Sequence, residues 1–306
     1  MKTEYVITTN SLCKHYKSFK ALDGLDLHVP KGSIYGLIGR NGSGKTTFMR
    51  LLCGLQTPTS GSFSLYGTEN TSKDICSARR RMGAVVETPS IYLEMSAYDN
   101  LKQQCLIIGT PDFDMIPEIL KLVGLENTGK KRAKNFSLGM RQRLGIAVAL
   151  VGNPDLIILD EPINGLDPQG IVEIRELILT LNRERGVTVL ISSHILDELH
   201  KLATHFGFVD KGRIIKEMTA EELENACKKC TEIEVDSIEK LTVVLDKMGV
   251  SYEIISESKA KYFADIPATE LILALKEENC SVVSMNEKNE SLESFYMNLT
   301  GGKEND

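Results

Sequence analysis

Apolar residues recur along this chain in two rhythms. Ile34 to Ile38, Met82 to Val86, Leu156 to Leu159 and Val187 to Ile191 are short apolar runs flanked by turn residues. Such runs predict strands covered on both faces. Tyr5 to Thr8, Leu25 to Val29 and Gly61 to Gly67 predict further short β segments. From Ala97 to Ala149 the texture turns helical, with Leu101 and Leu106, then Ile116, Ile119, Leu120 and Val123, at helical spacing. Ser137 is a good N-cap for a helix running to Leu150, and Ile171 to Arg183 is amphipathic. Phe206 to Val209 and Arg213 to Ile215 predict a hairpin turning at Asp210-Lys211-Gly212.

Beyond residue 220 the pattern changes. Thr231 to Val235 predicts a strand, and Ile238, Leu241, Val244, Leu245 and Met248 mark one face of a helix. Val250 to Ile255 and Tyr262 to Ile266 alternate around a polar turn. Leu271 to Leu275 is helical, Ser281 to Met285 is a strand, and Leu292, Phe295, Tyr296 and Leu299 line a last helix. The order is β-α-β-β-α-β, the split-βαβ arrangement, plus a terminal helix. Charge changes at the same place. Residues 1–219 hold 27 basic and 23 acidic side chains; residues 220–306 hold 9 and 19. A domain boundary near 220 is expected. The acidic second part argues against a general nucleic-acid surface.

No apolar run approaches the roughly 20 residues that span a bilayer, and the N-terminus lacks a signal peptide's apolar core. The chain is expected to be cytosolic, or membrane-bound only through a partner. Seven scattered cysteines show no disulfide framework. Cys227-Lys-Lys-Cys230 is a lone CxxC, read as two thiols on a linker helix rather than a zinc or redox site.

The chemistry centres on Ile34 to Leu52. A predicted strand runs into Gly39-Arg40-Asn41-Gly42-Ser43-Gly44, and Lys45-Thr46-Thr47 opens a helix. Glycines let backbone amides converge on an anion, and the helix N-terminus adds partial positive charge. Lys45 would reach the β- and γ-phosphates of a nucleotide, and Thr46 would give its hydroxyl to Mg²⁺. Asp160 and Glu161 close a buried strand. Asp160 would orient Mg²⁺ through water, and Glu161 would polarise the attacking water. Ser137 and Gly139 open a second helix N-terminus suited to phosphate. His194, after the strand ending Ser192-Ser193, could hold the γ-phosphate or the attacking water.

In this order, Gly39 to Thr46, FSLGMRQR, LIILDEP, GLDP and His194 resemble the Walker A, signature, Walker B, D-loop and H-switch of an ABC transporter's nucleotide-binding subunit. The resemblance covers residues 4–217. It implies an α/β P-loop NTPase: a mixed sheet core, an antiparallel β subdomain and a helical subdomain at about 90–153, together residues 1–219. A small α+β domain, 220–306, follows. It further implies an ATPase using ATP and Mg²⁺, acting as a head-to-tail homodimer with ATP at the interface. Ser137 and Gly139 would contact the partner's γ-phosphate, and Asp167 would report across the interface. Tyr16 would stack on adenine; core packing is the other reading of that residue.

Two departures narrow the resemblance. The signature reads Phe136-Ser137-Leu138-Gly139-Met140 where the family usually has LSGGQ, and Glu87 stands where a Q-loop glutamine is usual. Glu87 keeps an oxygen that can face Mg²⁺ or the attacking water, in a catalytic or a coupling role. With the tail SLESFYMNLTGG, these features resemble the ATP-binding subunits of bacitracin-resistance and lantibiotic self-protection transporters. That branch has separate permease chains, which would hold this subunit at the cytoplasmic membrane face. The alternatives are an ATPase of another exporter or a soluble non-transport ABC ATPase. Chromosome-structuring relatives need a coiled coil between Lys45 and Ser137, and heptads are absent there.

Overall fold

Ile34–Ile38, Leu156–Asp160 and Thr188–Ser193 are buried at every position. They form the middle of a six-stranded sheet in the order Arg213–Thr219, His205–Asp210, Ile34–Ile38, Thr188–Ser193, Leu156–Asp160, Met82–Val85. All pairings are parallel except the hairpin of the first two strands. Strands buried on both faces need cover on both, and their unbroken apolar sequence reflects it. The computed structural model describes residues 3–226, 229–264, 266–289 and 292–300. The chain divides into two compact units, Met1–Ala220 and Glu221–Asp306.

A second, antiparallel sheet is larger than the apolar pattern predicts. Tyr5–Tyr16 is one strand of 12 residues, not a short segment. It pairs with Phe19–Leu25, with His28–Pro30 and with Ser60–Leu65. The Phe19–Leu25 strand has no apolar alternation at its tip, where Lys17 and Lys20 flank the turn; backbone pairing with the neighbouring strand holds it instead. Leu12, Leu22, Leu25 and Phe63 of this sheet share one core with Phe48, Met49 and Leu52 of the helix Lys45–Leu52. Burying each such side chain stabilises the fold by about 1.5–3 kcal/mol. The loop before that helix is therefore clamped between two sheets.

The helices Ala97–Ile108, Met115–Leu122 and Leu138–Leu150 form the helical part. Ser96 caps the first by accepting from the Asp99 amide at 3.1 Å. Arg143 ties the third to its surroundings. It donates to the carbonyls of Val123 and Gly124 at 3.0 and 3.1 Å and pairs with Glu173 of the helix Pro168–Arg185 at 3.3 Å. Gly145 lets this helix meet the segment after Glu87: a Cβ there would stand 2.6 Å from Pro89 Cβ.

In the second unit, the strands run Tyr252–Ile254, Lys259–Tyr262, Lys229–Val235, Val282–Asn289, all antiparallel. The helices Ile238–Lys247 and Ala268–Glu277 contribute Leu241, Leu245, Leu271 and Leu275 to a core with Ile233 and Tyr262. This is the split-βαβ strand order. The second hairpin strand starts at Lys259, earlier than the apolar residues suggest, because the turn falls at Ser256–Ser258; Ile255 and Ser256 both donate to the Lys259 carbonyl. Cys227 of the CxxC lies outside the described residues, and so does the question of its pairing with Cys230.

Candidate functional site

The loop from Gly39 to Gly44 carries the chain from the buried strand Ile34–Ile38 into the helix Lys45–Leu52. Gly44 has φ of 112°, and a Cβ there would stand 2.6 Å from the Ala21 carbonyl and 2.8 Å from Leu22 Cδ2. Conformation and space both demand glycine. Residues 41–47, with Phe19, Ala21 and Glu161, line a cavity of about 200 Å³. The Ser43 hydroxyl is buried there with no hydrogen-bond partner among the described residues. An orphaned hydroxyl at a glycine turn and helix N-terminus fits an anion.

Lys45 is 5% exposed. Its ammonium donates to the carbonyls of Gly39 and Arg40 at 2.6 and 3.3 Å and lies 3.3 Å from Glu161 Oε1. A buried charge needs such partners. Thr46 Oγ1 donates to Asp160 Oδ2 at 2.8 Å, and Ser192 Oγ donates to Asp160 Oδ1 at 2.6 Å. Asp160 and Ser192 face each other in register across neighbouring parallel strands. Ser192 also accepts from the Glu161 amide at 2.9 Å. Glu161 sits in the left-handed region, φ 49°, uncommon for a long side chain. Its Oε2 lies 2.7 Å from His194 Nδ1. A carboxylate only accepts, so the imidazole Nδ1–H is the donor. Thr46 and Asp160 together offer hard oxygen donors of the kind Mg²⁺ takes.

The structure thus brings together Gly39, Arg40, Asn41, Gly42, Ser43, Gly44, Lys45, Thr46, Thr47, Asp160, Glu161 and His194. It sets others apart. Glu87, 54% exposed at its side chain with φ of 63°, pairs with Arg50 on the outer side of the loop helix and does not line the cavity. Tyr16 is exposed, its hydroxyl bonded to Gln56 Oε1 and the Lys14 ammonium 5.4 Å from its ring centre. The aromatic that lines the cavity is Phe19, opposite Tyr16 in the hairpin. Ser137 caps its helix by accepting from the Met140 amide at 3.2 Å, and Asp167 caps the helix Pro168–Arg185 by accepting from Gly170 at 3.0 Å. A Cβ at Gly139 would meet Leu166 at 3.8 Å, and one at Gly165 would meet Leu138 at 3.4 Å. The two caps therefore stand on adjoining loops, and neither lines the cavity of its own chain.

Sequence reasoning did not single out Ser192, Phe19 or Arg50. Ser192 is visible only as the first residue of Ser-Ser-His. Phe19 lies in a polar turn, and Arg50 reads as an ordinary helix-surface cation.

The glycine loop between two sheets, the paired Asp160 and Glu161 and the helical insertion define an ABC-type ATP-binding domain. A family model described as "ABC transporter" matches residues 22–164. The chain is 40% identical to the bacitracin transport ATP-binding protein BcrA of Bacillus licheniformis over 300 residues, 97% of this chain and 98% of that protein. It is 44% identical to the lantibiotic transport ATP-binding protein SrtF of Streptococcus pyogenes, over 72% of this chain and 93% of that one. The dimeric structure of the bacterial ABC transporter cassette MJ0796 superposes with a TM-score of 0.63 at 25% identity, over 70% of this chain and 98% of that chain. The chain belongs to the ABC transporter ATP-binding family. Among the described residues no helix is long and apolar enough to cross a membrane.

Proposed function

We propose that this ABC ATPase drives removal of a membrane-acting peptide antibiotic, of the bacitracin or lantibiotic kind, through separately encoded permease subunits. The observation that carries the substrate class is the 40% identity to a bacitracin transport subunit across 97% of the chain. Residues 1–219 form the ATPase module, held at the cytoplasmic membrane face by the permease, and 220–306 form an accessory domain.

The loop amides of residues 41–45 and the Lys45 ammonium hold the triphosphate. Thr46 and Asp160 hold Mg²⁺, which when bound neutralises charge on the β- and γ-phosphates. Glu161 orients the attacking water and takes its proton, while His194 fixes the carboxylate from its second oxygen. Ser137 and Asp167 are exposed, Gly139 is half-buried, and none of them lines the nucleotide cavity of its own chain, which supports their use against a second copy in a head-to-tail dimer. Glu87, tied to Arg50, acts in coupling to the permease rather than in the hydrolytic step.

Glu161→Gln keeps the shape and removes the proton acceptor. With the permease genes present, we expect retained ATP affinity, a stable ATP-bound dimer, turnover down by about 100-fold or more, and loss of protection against the peptide. Wild-type turnover in this variant would refute the mechanism. Intact turnover with no protection against any such peptide in the parent would refute the substrate class alone.

A further inference from the structure

Outside the nucleotide cavity, the antiparallel sheet gathers three side chains of metal-ligating type. Cys13 and His15 lie two apart on the strand Tyr5–Tyr16, and Asp23 stands directly opposite Cys13 on the neighbouring strand. The Lys14 ammonium lies 5.4 Å from the centre of the Tyr16 ring. The register slips between Lys14 and His15, an irregularity of the kind that re-aims a side chain. One donor atom from each of Cys13, His15 and Asp23 lies within 4.8 Å of the other two. A tetrahedral zinc holds its ligand atoms roughly 3.5 Å apart. The second, independent observation is His15 itself: its Nε2 is buried and has no hydrogen-bond partner among the described residues. A buried imidazole nitrogen without a partner is costly, and a metal ion relieves it.

The geometry points to a site for a borderline-soft divalent transition metal, of the Zn²⁺ class, held by Cys13 Sγ, His15 Nε2 and an Asp23 carboxylate oxygen. A thiolate, an imidazole and one carboxylate suit zinc, cobalt or copper and not Mg²⁺ or Ca²⁺. Three protein ligands leave a fourth position for water or a further ligand. Asp23 now pairs with Arg213 at 2.7 Å and Lys20 at 3.1 Å, so metal capture exchanges those contacts for a metal bond. The exchange reaches the nucleotide loop. The Asp23 amide donates to the Gly212 carbonyl at 3.0 Å, and the Gly212 amide donates to the Ser43 carbonyl at 2.9 Å. The same hairpin carries Phe19 and Ala21 into the cavity. Metal occupancy therefore shifts nucleotide affinity as a secondary effect, whereas metal capture itself is independent of what is transported.

The test uses the full chain with Cys227 and Cys230 changed to serine, removing the CxxC motif as a competing metal ligand. Reduced, nucleotide-free protein is titrated with Co²⁺, reading the thiolate-to-cobalt charge-transfer band, and bound metal is then displaced by Zn²⁺ against a chromogenic chelator. The expected result is one equivalent with a thiolate band, and affinity weaker by roughly tenfold or more in Cys13→Ser and in His15→Ala. Circular dichroism checks that both variants fold. Absence of a stoichiometric thiolate band in the parent overturns the site whatever the variants do. An unchanged band in Cys13→Ser overturns it equally.

Discussion

Ser192 offers the sharpest test of how the site is held. Its hydroxyl is fully buried, donates to Asp160 at 2.6 Å and accepts from the Glu161 amide at 2.9 Å. Ser192→Ala removes both bonds in one step and leaves a carboxylate oxygen and an amide unpaired in the interior. A hydrogen bond to a charged group contributes about 1.5–3 kcal/mol, and an orphaned amide costs about 1–3 kcal/mol. The two share one hydroxyl and will not add fully, so the expected loss of stability is about 3 kcal/mol. At an m of about 3 kcal/mol/M, that moves the urea midpoint down by roughly 1 M. Turnover should also fall. Freeing the Glu161 amide loosens a residue held at φ 49°, and about 1.4 kcal/mol of lost positioning is tenfold in kcat. Ser193→Ala is the control. Ser193 is as buried, but among the described residues its hydroxyl bonds only to the Ile195 backbone, at 2.9 and 3.5 Å. It should cost stability and leave kcat alone. Circular dichroism in urea and steady-state ATPase assays read the two effects. A Ser192→Ala protein with an unmoved midpoint and kcat within about twofold of the parent would refute the reasoning.

Three other outcomes are expected. Gly44→Ala forces a Cβ to 2.6 Å from the Ala21 carbonyl at φ 112°; it should cost more than about 2 kcal/mol and abolish binding of a fluorescent ATP analogue, and parental melting and affinity would contradict the loop geometry. Glu87→Gln breaks an exposed pair with Arg50, so stability should change by less than about 1 kcal/mol and ATPase activity should persist, while protection of cells falls; Arg50→Ala should match it, and full protection in both would make the pair a bystander. Burial, opposed by the nearby Arg79 charge and helped slightly by the Asp160 charge, pushes the Cys53 thiol up to about 12. The fold then keeps a proton that the unfolded chain releases above its ordinary value of 9.0, so stability falls as pH rises past that point. The reactive thiolate is therefore scarce at Cys53 near neutral pH. Peptide mapping after iodoacetamide should find exposed Cys76 modified well before Cys53, and equal labelling would count against that burial.

The apolar runs determined the central strands, because a strand covered on both faces must be apolar throughout. The glycine loop, Lys45, Thr46, Asp160, Glu161 and His194 were legible for a related reason: a phosphate-binding turn and a strand-end carboxylate are local in sequence. The α/β class and the ABC resemblance followed from their order. Non-local facts were decided only in three dimensions. Ser192 reaches Asp160 because two parallel strands lie side by side, 32 residues apart in sequence. Phe19 reaches the cavity because backbone hydrogen bonds, to which side-chain patterns are blind, extend a polar hairpin past its apolar base. Cys13, His15 and Asp23 converge through cross-strand register, and Glu87 faces Arg50 because one loop passes one helix. Periodicity records which face of an element is buried; which elements become neighbours depends on how all those faces are covered at once, and no single stretch of sequence contains that.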